Sequence, residues 1–164
     1  MKITIRNAFE SDLGQIVKIL NQAIRTHNVG FTRELNIQDR REWFKEHTPD
    51  DYPILVAECD KKVAGWISIS PYRKGRDALD KTVEVSYFIH DDYQRKGVGS
   101  ALLLEIINLS KILGKSTMIA IIFHSNTGSV KILEKHNFEV WGIMPEVAEI
   151  EGEKYNHVYY GKKL

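Results

Sequence analysis

Residues 82–123 place the strongest constraint on how this chain folds, because they read as a strand, a glycine turn, a helix and a second strand in direct succession. Thr82–His90 alternates. Val83, Val85, Tyr87 and Ile89 fall on one face, and Glu84, Ser86, Phe88 and His90 on the other. The turn Gln94–Gly99 follows. Leu102, Leu103, Ile106, Leu109 and Leu113 then repeat at helical spacing, and Gly114 suits the position just past the helix end. Met118–Phe123 is a continuous apolar run, the pattern of a strand buried on both faces. A strand–helix–strand unit crosses over right-handed, so the two strands are predicted to be parallel neighbours.

The flanking elements extend this unit into a mixed α/β sheet with helices on its faces. Residues 2–6 read as a short strand, and Ser11 as the cap of a helix whose stripe is Leu13, Ile16, Val17, Leu20 and Ile24. Asn36 caps a second helix carrying Trp43 and Phe44, which stops before Pro49. Ile54–Glu58 and Val63–Ile69 form a hairpin across Asp60-Lys61-Lys62. A polar loop, residues 71–77, leads to Thr82. Ser125 or Asn126 caps a last helix to about His136, and Phe138–Ile143 and Tyr155–Gly161 close the chain as strands. No repeat or Pro/Gly/Ser linker divides residues 1–164, so one domain is expected.

The turn Gln94-Arg95-Lys96-Gly97-Val98-Gly99-Ser100 carries the clearest chemistry. Two glycines let the backbone amides approach a ligand, and the first helical turn leaves N–H donors unpaired. Arg95 and Lys96 add charge, so the segment suits a pyrophosphate. It is not a Walker A loop, since no Gly-Lys-Ser/Thr ends it. It is a poor dinucleotide fingerprint, since Leu102 takes the third glycine position. The alternative is an ordinary glycine turn with two solvated charges.

Composition narrows the partners. Lys and Arg number 23 against 22 Asp and Glu, a balance that gives no general attraction to nucleic acid or membrane. The single cysteine, Cys59, cannot form an internal disulfide, and its neighbours Glu58 and Asp60 disfavour a reactive thiolate. The N-terminal residues lack an apolar signal core and no run reaches membrane-span length, so a cytoplasmic location is expected. The six histidines show no metal-ligand spacing, and no metal is expected.

With these residues in view, the chain resembles the GCN5-related N-acetyltransferase superfamily. The signature Gln/Arg-x-x-Gly-x-Gly/Ala is matched by Gln94–Gly99, the helix-start asparagine by Asn126, and the Lys-x-Gly-Phe ending by Lys135-His136-Asn137-Phe138. Asn137 replaces glycine, a mild change because asparagine tolerates positive φ. Within the superfamily the likeness is to phosphinothricin and methionine sulfone/sulfoximine acetyltransferases. It rests on Val29-Gly30-Phe31-Thr32, on Arg76-Asp77-Ala78-Leu79 with Thr82-Val83-Glu84, and on Trp141–Pro145.

The resemblance implies a mostly antiparallel sheet with one splayed parallel pair. It also implies transfer of acetyl from acetyl-CoA to a small amine. Tyr87, Phe88 and Ile89 would pair with the pantetheine arm through their backbone. Arg95, Lys96, Gly97, Val98, Gly99 and Ser100 would hold the pyrophosphate, and Asn126 would bond the arm or simply cap its helix. Glu84 is the implied general base. Read from the residues alone, it is equally a solvated carboxylate or a partner of Arg73 or Arg76. A backbone N–H at 86–88 would face the developing oxyanion. Leu133 takes the place where many relatives carry a tyrosine or histidine acid. Arg73 and Arg76 would bind the substrate's own anion, with Phe31, Asp77, Ala78 and Leu79 shaping the pocket. The resemblance also allows a homodimer. Rival readings are acetylation of polyamines, against which the basic loop argues, acetylation of protein N-termini, and a non-catalytic acyl-CoA sensor.

Overall fold

A computed structural model describes residues 2–164. Its strands are β1 (Thr4–Asn7), β2 (Ile54–Cys59), β3 (Lys62–Pro71), β4 (Thr82–Ile89), β5 (Thr117–Phe123), β6 (Glu139–Ile150) and β7 (Glu153–Lys163). The helices are α1 (Leu13–Arg25), α2 (Ile37–Lys45), α3 (Val98–Ile112) and α4 (Thr127–Lys135). The strands form one seven-stranded sheet in the order β1-β2-β3-β4-β5-β7-β6. Only β4 and β5 pair in parallel; every other neighbour is antiparallel. The predicted strand–helix–strand unit is therefore β4-α3-β5.

The sheet separates two apolar cores. On one face α1 packs Leu13, Ile16, Val17 and Leu20 against Val56 and Trp66. On the other, α3 packs Leu102, Leu103 and Ile106 with Val83, Val85 and Met118, and α4 adds Leu133. The alternation read along β4 divides as expected. Val83 and Val85 belong to the α3 side, with Tyr87 and Ile89 packed against that core, while Phe88 packs against the α1 side. Trp66 is 1% exposed and its indole N–H donates to the Ile16 carbonyl at 3.1 Å, which ties α1 to β3.

Local signals explain most boundaries. The Asn36 side chain accepts from the Asp39 amide at 3.1 Å, and the Asp39 carboxylate accepts from the Asn36 amide at 2.8 Å, a reciprocal cap that starts α2. Asp60 and Lys61 have φ of 50° and 64°, the backbone of a two-residue hairpin turn. Asn137 has φ of 59°, so it does occupy the left-handed position inferred for it.

Three expectations are corrected. Ser11 does not cap α1: a short 3-10 turn, Glu10–Asp12, precedes the helix, and the Asp12 carboxylate accepts from the Phe9 amide at 2.8 Å. The last two strands are longer than predicted and meet at the tight turn Glu151-Gly152, where φ is 51° and 82°. Pro145 and the acidic residues from Glu146 onward disguise β6. As the edge strand it tolerates a residue without an N–H, and its pairing is irregular between Met144 and Ala148. Finally, β5 is not buried on both faces throughout, because Ile121 and Ile122 are half-exposed. No helix among the described residues is long and apolar enough to cross a membrane.

Candidate active site

The half-exposure of Ile121 and Ile122 marks where the sheet opens. β4 pairs with β3 along its length, from Val83↔Pro71 to Ile89↔Gly65. It pairs with β5 only at Thr82↔Thr117, Val83↔Met118 and Glu84↔Ile119. Beyond Glu84 the two strands diverge. The edge of β4 that faces β5 then offers backbone N–H and C=O groups with no strand partner, at residues 85–89. Unpaired strand edges are templates for an added extended segment. Two cavities adjoin this opening and share Tyr87, Phe88, Asn126 and Ser129 in their walls.

The first cavity, of about 380 Å³, runs from the strand edge to the start of α3. Arg95, Gly97, Val98 and Gly99 line it, and the β5–α4 loop closes the other side with Ser125, Thr127 and Gly128. Gly97 is the residue before α3 and has φ of 85°, a conformation costly for side chains with a Cβ. Its turn leaves the first α3 amides free to face the cavity. Gly99 serves a different purpose. A Cβ there would lie 2.9 Å from Ile132 Cδ1, so its lack of a side chain lets α4 approach α3.

Other members of the glycine turn point elsewhere. Val98 is buried in the core and also lines the cavity. Ser100 Oγ is 2.6 Å from His136 Nε2 and stands outside both cavity walls. Burial first, then Lys135 and Lys162, hold the His136 pKa below its usual value. Lys96 is exposed, with Nζ 5.6 Å from the Tyr93 ring. Asn126 caps α4 by accepting from the Ser129 amide at 3.1 Å, and it also lines both cavities.

The second cavity, of about 420 Å³, holds Glu84. This carboxylate stands at the last paired position before the strands part. It is half-buried, and burial raises its pKa above the ordinary glutamate value. No cation lies within ion-pair distance of it among the described residues. The pairing with Arg73 or Arg76 left open by the sequence is therefore not formed. Tyr87 extends toward α4, where its hydroxyl donates to the Ser129 carbonyl at 3.3 Å, and burial pushes its pKa up to about 12.

Phe31 lines this second cavity. Arg73, Arg76, Asp77 and Ala78 are exposed in the loop before β4, Leu79 is half-buried, and all five stand outside both cavity walls. Leu133 is fully buried under α4 and carries no proton to give.

The sequence reading missed the opposite wall, which α2, β3 and β7 supply. Arg40, Trp43, Trp66, His157 and Tyr159 all line the second cavity. Trp43 meets Trp66 edge-on at 5.5 Å between ring centroids, and Trp66 lies 4.8 Å from Phe88. Burial keeps the His157 pKa below normal. One signal was present: an arginine three residues before a tryptophan on a short helix. The surrounding charges Asp39, Arg41 and Glu42 make that segment look like a solvated face. Among the described residues no three histidine, cysteine or acidic side chains gather as a metal site would require.

Comparison with known proteins agrees with this geometry. The model of the acetyltransferase (GNAT) family matches residues 16–138. The chain is 40% identical to YwnH of Bacillus subtilis over 99% of each chain. It is 32% identical to an L-methionine sulfoximine/L-methionine sulfone acetyltransferase of Salmonella typhimurium, over 88% of this chain and 85% of the relative. It superposes with a TM-score of 0.91 on a phosphinothricin acetyltransferase from Sinorhizobium meliloti in complex with acetyl-CoA. That match is 26% identical and covers 100% of this chain and 89% of the other. A splayed β4/β5 pair, a glycine turn opening α3 and matches spanning nearly the whole chain carry one conclusion: this chain belongs to the acetyltransferase (GNAT) family.

Proposed function

We propose that the protein transfers the acetyl group of acetyl-CoA to the primary amine of a small amino-acid-like substrate, of the phosphinothricin or methionine sulfone/sulfoximine type. The observation that carries this reading is Glu84, a half-buried carboxylate with a raised pKa and no cationic partner among the described residues, at the point where the sheet opens. The names of the relatives supply the substrate class.

The residues divide the work. The free edge of β4 at Tyr87, Phe88 and Ile89 receives the pantetheine arm as an added strand. The amides following Gly97, with the guanidinium of Arg95, take the pyrophosphate. Lys96 adds charge from outside the cavity wall, and Ser100 adds only its backbone. Asn126 faces the arm from the start of α4. Acetyl-CoA supplies an activated carbonyl carbon. An amine attacks that carbon only as the free base, and Glu84 takes its proton, directly or through one water. A backbone N–H of residues 86–88 meets the negative charge that grows on the carbonyl oxygen. The carbon–nitrogen bond forms as the carbon–sulfur bond breaks. A thiolate is a better leaving group than an amine, so the carbon–sulfur bond breaks without an acid at position 133, and the thiolate then takes its proton from solvent.

The test is thiol release from acetyl-CoA with a panel holding phosphinothricin, methionine sulfone, methionine sulfoximine, ordinary amino acids, a polyamine and a short peptide. Glu84→Gln is expected to lower kcat at least ~100-fold on the preferred amine while acetyl-CoA affinity holds. Turnover unchanged by the substitution removes Glu84 from its role. Acetyl-CoA binding with no turnover of any amine makes the protein a sensor rather than an enzyme.

A further inference from the structure

Among the described residues that line the second cavity one is a cation, and it is not in the loop where the sequence placed it. Arg40 sits on α2, with its guanidinium 3.8 Å from the centre of the Trp43 ring. Its neighbours are paired: Arg33 binds Asp39 at 3.0 Å and Arg41 lies 3.4 Å from Glu10. Arg40 has no acidic partner among the described residues, and its Nε, like that of Arg41, is buried without a hydrogen bond. Burial lowers its pKa to about 10, which still leaves it charged at neutral pH. Arg40 is half-buried, and a charge partly withdrawn from water without a counter-ion carries a cost that a ligand completing the pair would offset.

The surroundings hold this guanidinium in place. His47, just past the end of α2, has Nδ1 2.6 Å from the Trp43 carbonyl and Nε2 3.2 Å from Ser70 Oγ. Ser70 is the β3 residue directly opposite Glu84. The helix bearing Arg40 is thus pinned to the strand position that faces the base. Burial above all, opposed in part by the bond to Trp43, and the nearby charge of Arg40 keep His47 below its usual pKa, so it is a neutral strut. One cavity therefore joins a carboxylate able to accept a proton, a lone guanidinium and an aromatic wall of Phe31, Trp43, Trp66 and Phe88.

We infer that Arg40 anchors the α-carboxylate of the acceptor amino acid and so determines the enzyme's specificity. The inference rests on the acetyl-transfer reading above and deepens it. Guanidinium and carboxylate match as a planar two-bond pair. The anchored acid turns its amine toward Glu84, and the aromatic wall takes an unbranched, polarisable side chain.

The experiment compares L-methionine sulfone with its primary carboxamide, which keeps the amine and side chain but loses the charge. Steady-state thiol release is measured for wild type, Arg40→Met, Arg40→Lys and Arg73→Gln, with acetyl-CoA affinity by calorimetry as the check on folding. Arg40→Met is expected to raise KM for the acid roughly 10- to 100-fold, the scale of a lost charged hydrogen-bond pair. KM for the carboxamide should move less than about 3-fold, and Arg40→Lys should fall between. If Arg40→Met does not fold, the same split between acid and carboxamide in Arg40→Lys carries the test. Equal losses on acid and carboxamide would make Arg40 structural and overturn the inference. So would an unchanged KM in Arg40→Met with the loss appearing in Arg73→Gln. Wild type that acetylates carboxamide and acid equally well overturns the anchor and leaves acetyl transfer standing. Failure of wild type on every amine sinks the parent reading instead.

Discussion

Glu84 shows how one side chain couples stability to chemistry. Its burial favours the neutral form and raises its pKa in the folded chain. The folded state then holds the proton more tightly than the unfolded state does. Stability from this group is complete below the unfolded value, 4.5, and is lost as pH rises through the raised folded value. At neutral pH an ionised carboxylate there is a burden on the fold, set against the role proposed for it in the reaction. Two outcomes follow. The pH profile of kcat/KM should show an acid limb above the usual glutamate range, and Glu84→Gln should remove that limb. The same variant should melt at a higher temperature than wild type at pH 7 in scanning calorimetry. A lower melting temperature would mean that the carboxylate is stabilised by a partner after all. The sequence exposed Glu84 because a charge inside an alternating strand stands out. It hid Arg40, because a charge inside a charged helix does not.

At the level of elements, α1 owes its seat to an ion triad that periodicity alone could not reveal. Arg6 on β1 reaches Asp12 at 2.7 Å and Glu58 on β2 at 3.0 Å. Burial works against ionisation of Asp12, but the bonds from Arg6 and the Phe9 amide outweigh it and hold the carboxyl below its usual pKa. That contribution is present above the unfolded value, 3.8, and is lost as pH falls through the lowered one. Asp12→Ala is expected to destabilise the protein by about 1–3 kcal/mol in urea titration at pH 7, with the difference shrinking at acid pH. A pH-independent loss would assign the effect to packing instead. The stripe of α1, the cap of α2 and the hairpin of β2 and β3 were legible because each depends on residues close in sequence. The start of α1 was misread because Ser11 is a good capping residue by type, whereas a 3-10 turn leads into the helix and Asp12, held by the long-range partner Arg6, bonds the Phe9 amide instead.

For the molecule as a whole, the sheet is two blocks, β1–β4 and β5–β7, joined by the three pairs Thr82↔Thr117, Val83↔Met118 and Glu84↔Ile119. The parallel pair was legible from residues 82–123; the insertion of β7 between β5 and β6 was not. Nor was the extent of the splay, since the apolar run of β5 continues unchanged past the last pair with β4, Glu84↔Ile119. Hydrogen exchange should find the 85–89 segment of β4 less protected than its β3-paired register would give. Adding acetyl-CoA should slow exchange there and in the turn at 95–100. Unchanged exchange at 85–89 would mean that the ligand does not lie along this edge. The open seam also has a consequence for how the protein responds to its surroundings. A sheet whose rungs are completed by a diffusible molecule inherits that molecule's concentration as a term in its own stability. At a hundredfold excess over Kd the gain is about 2.7 kcal/mol. Resistance to heat and to proteases would then rise and fall with the supply of acetyl-CoA, making the cell's fuel state legible in how long the enzyme lasts.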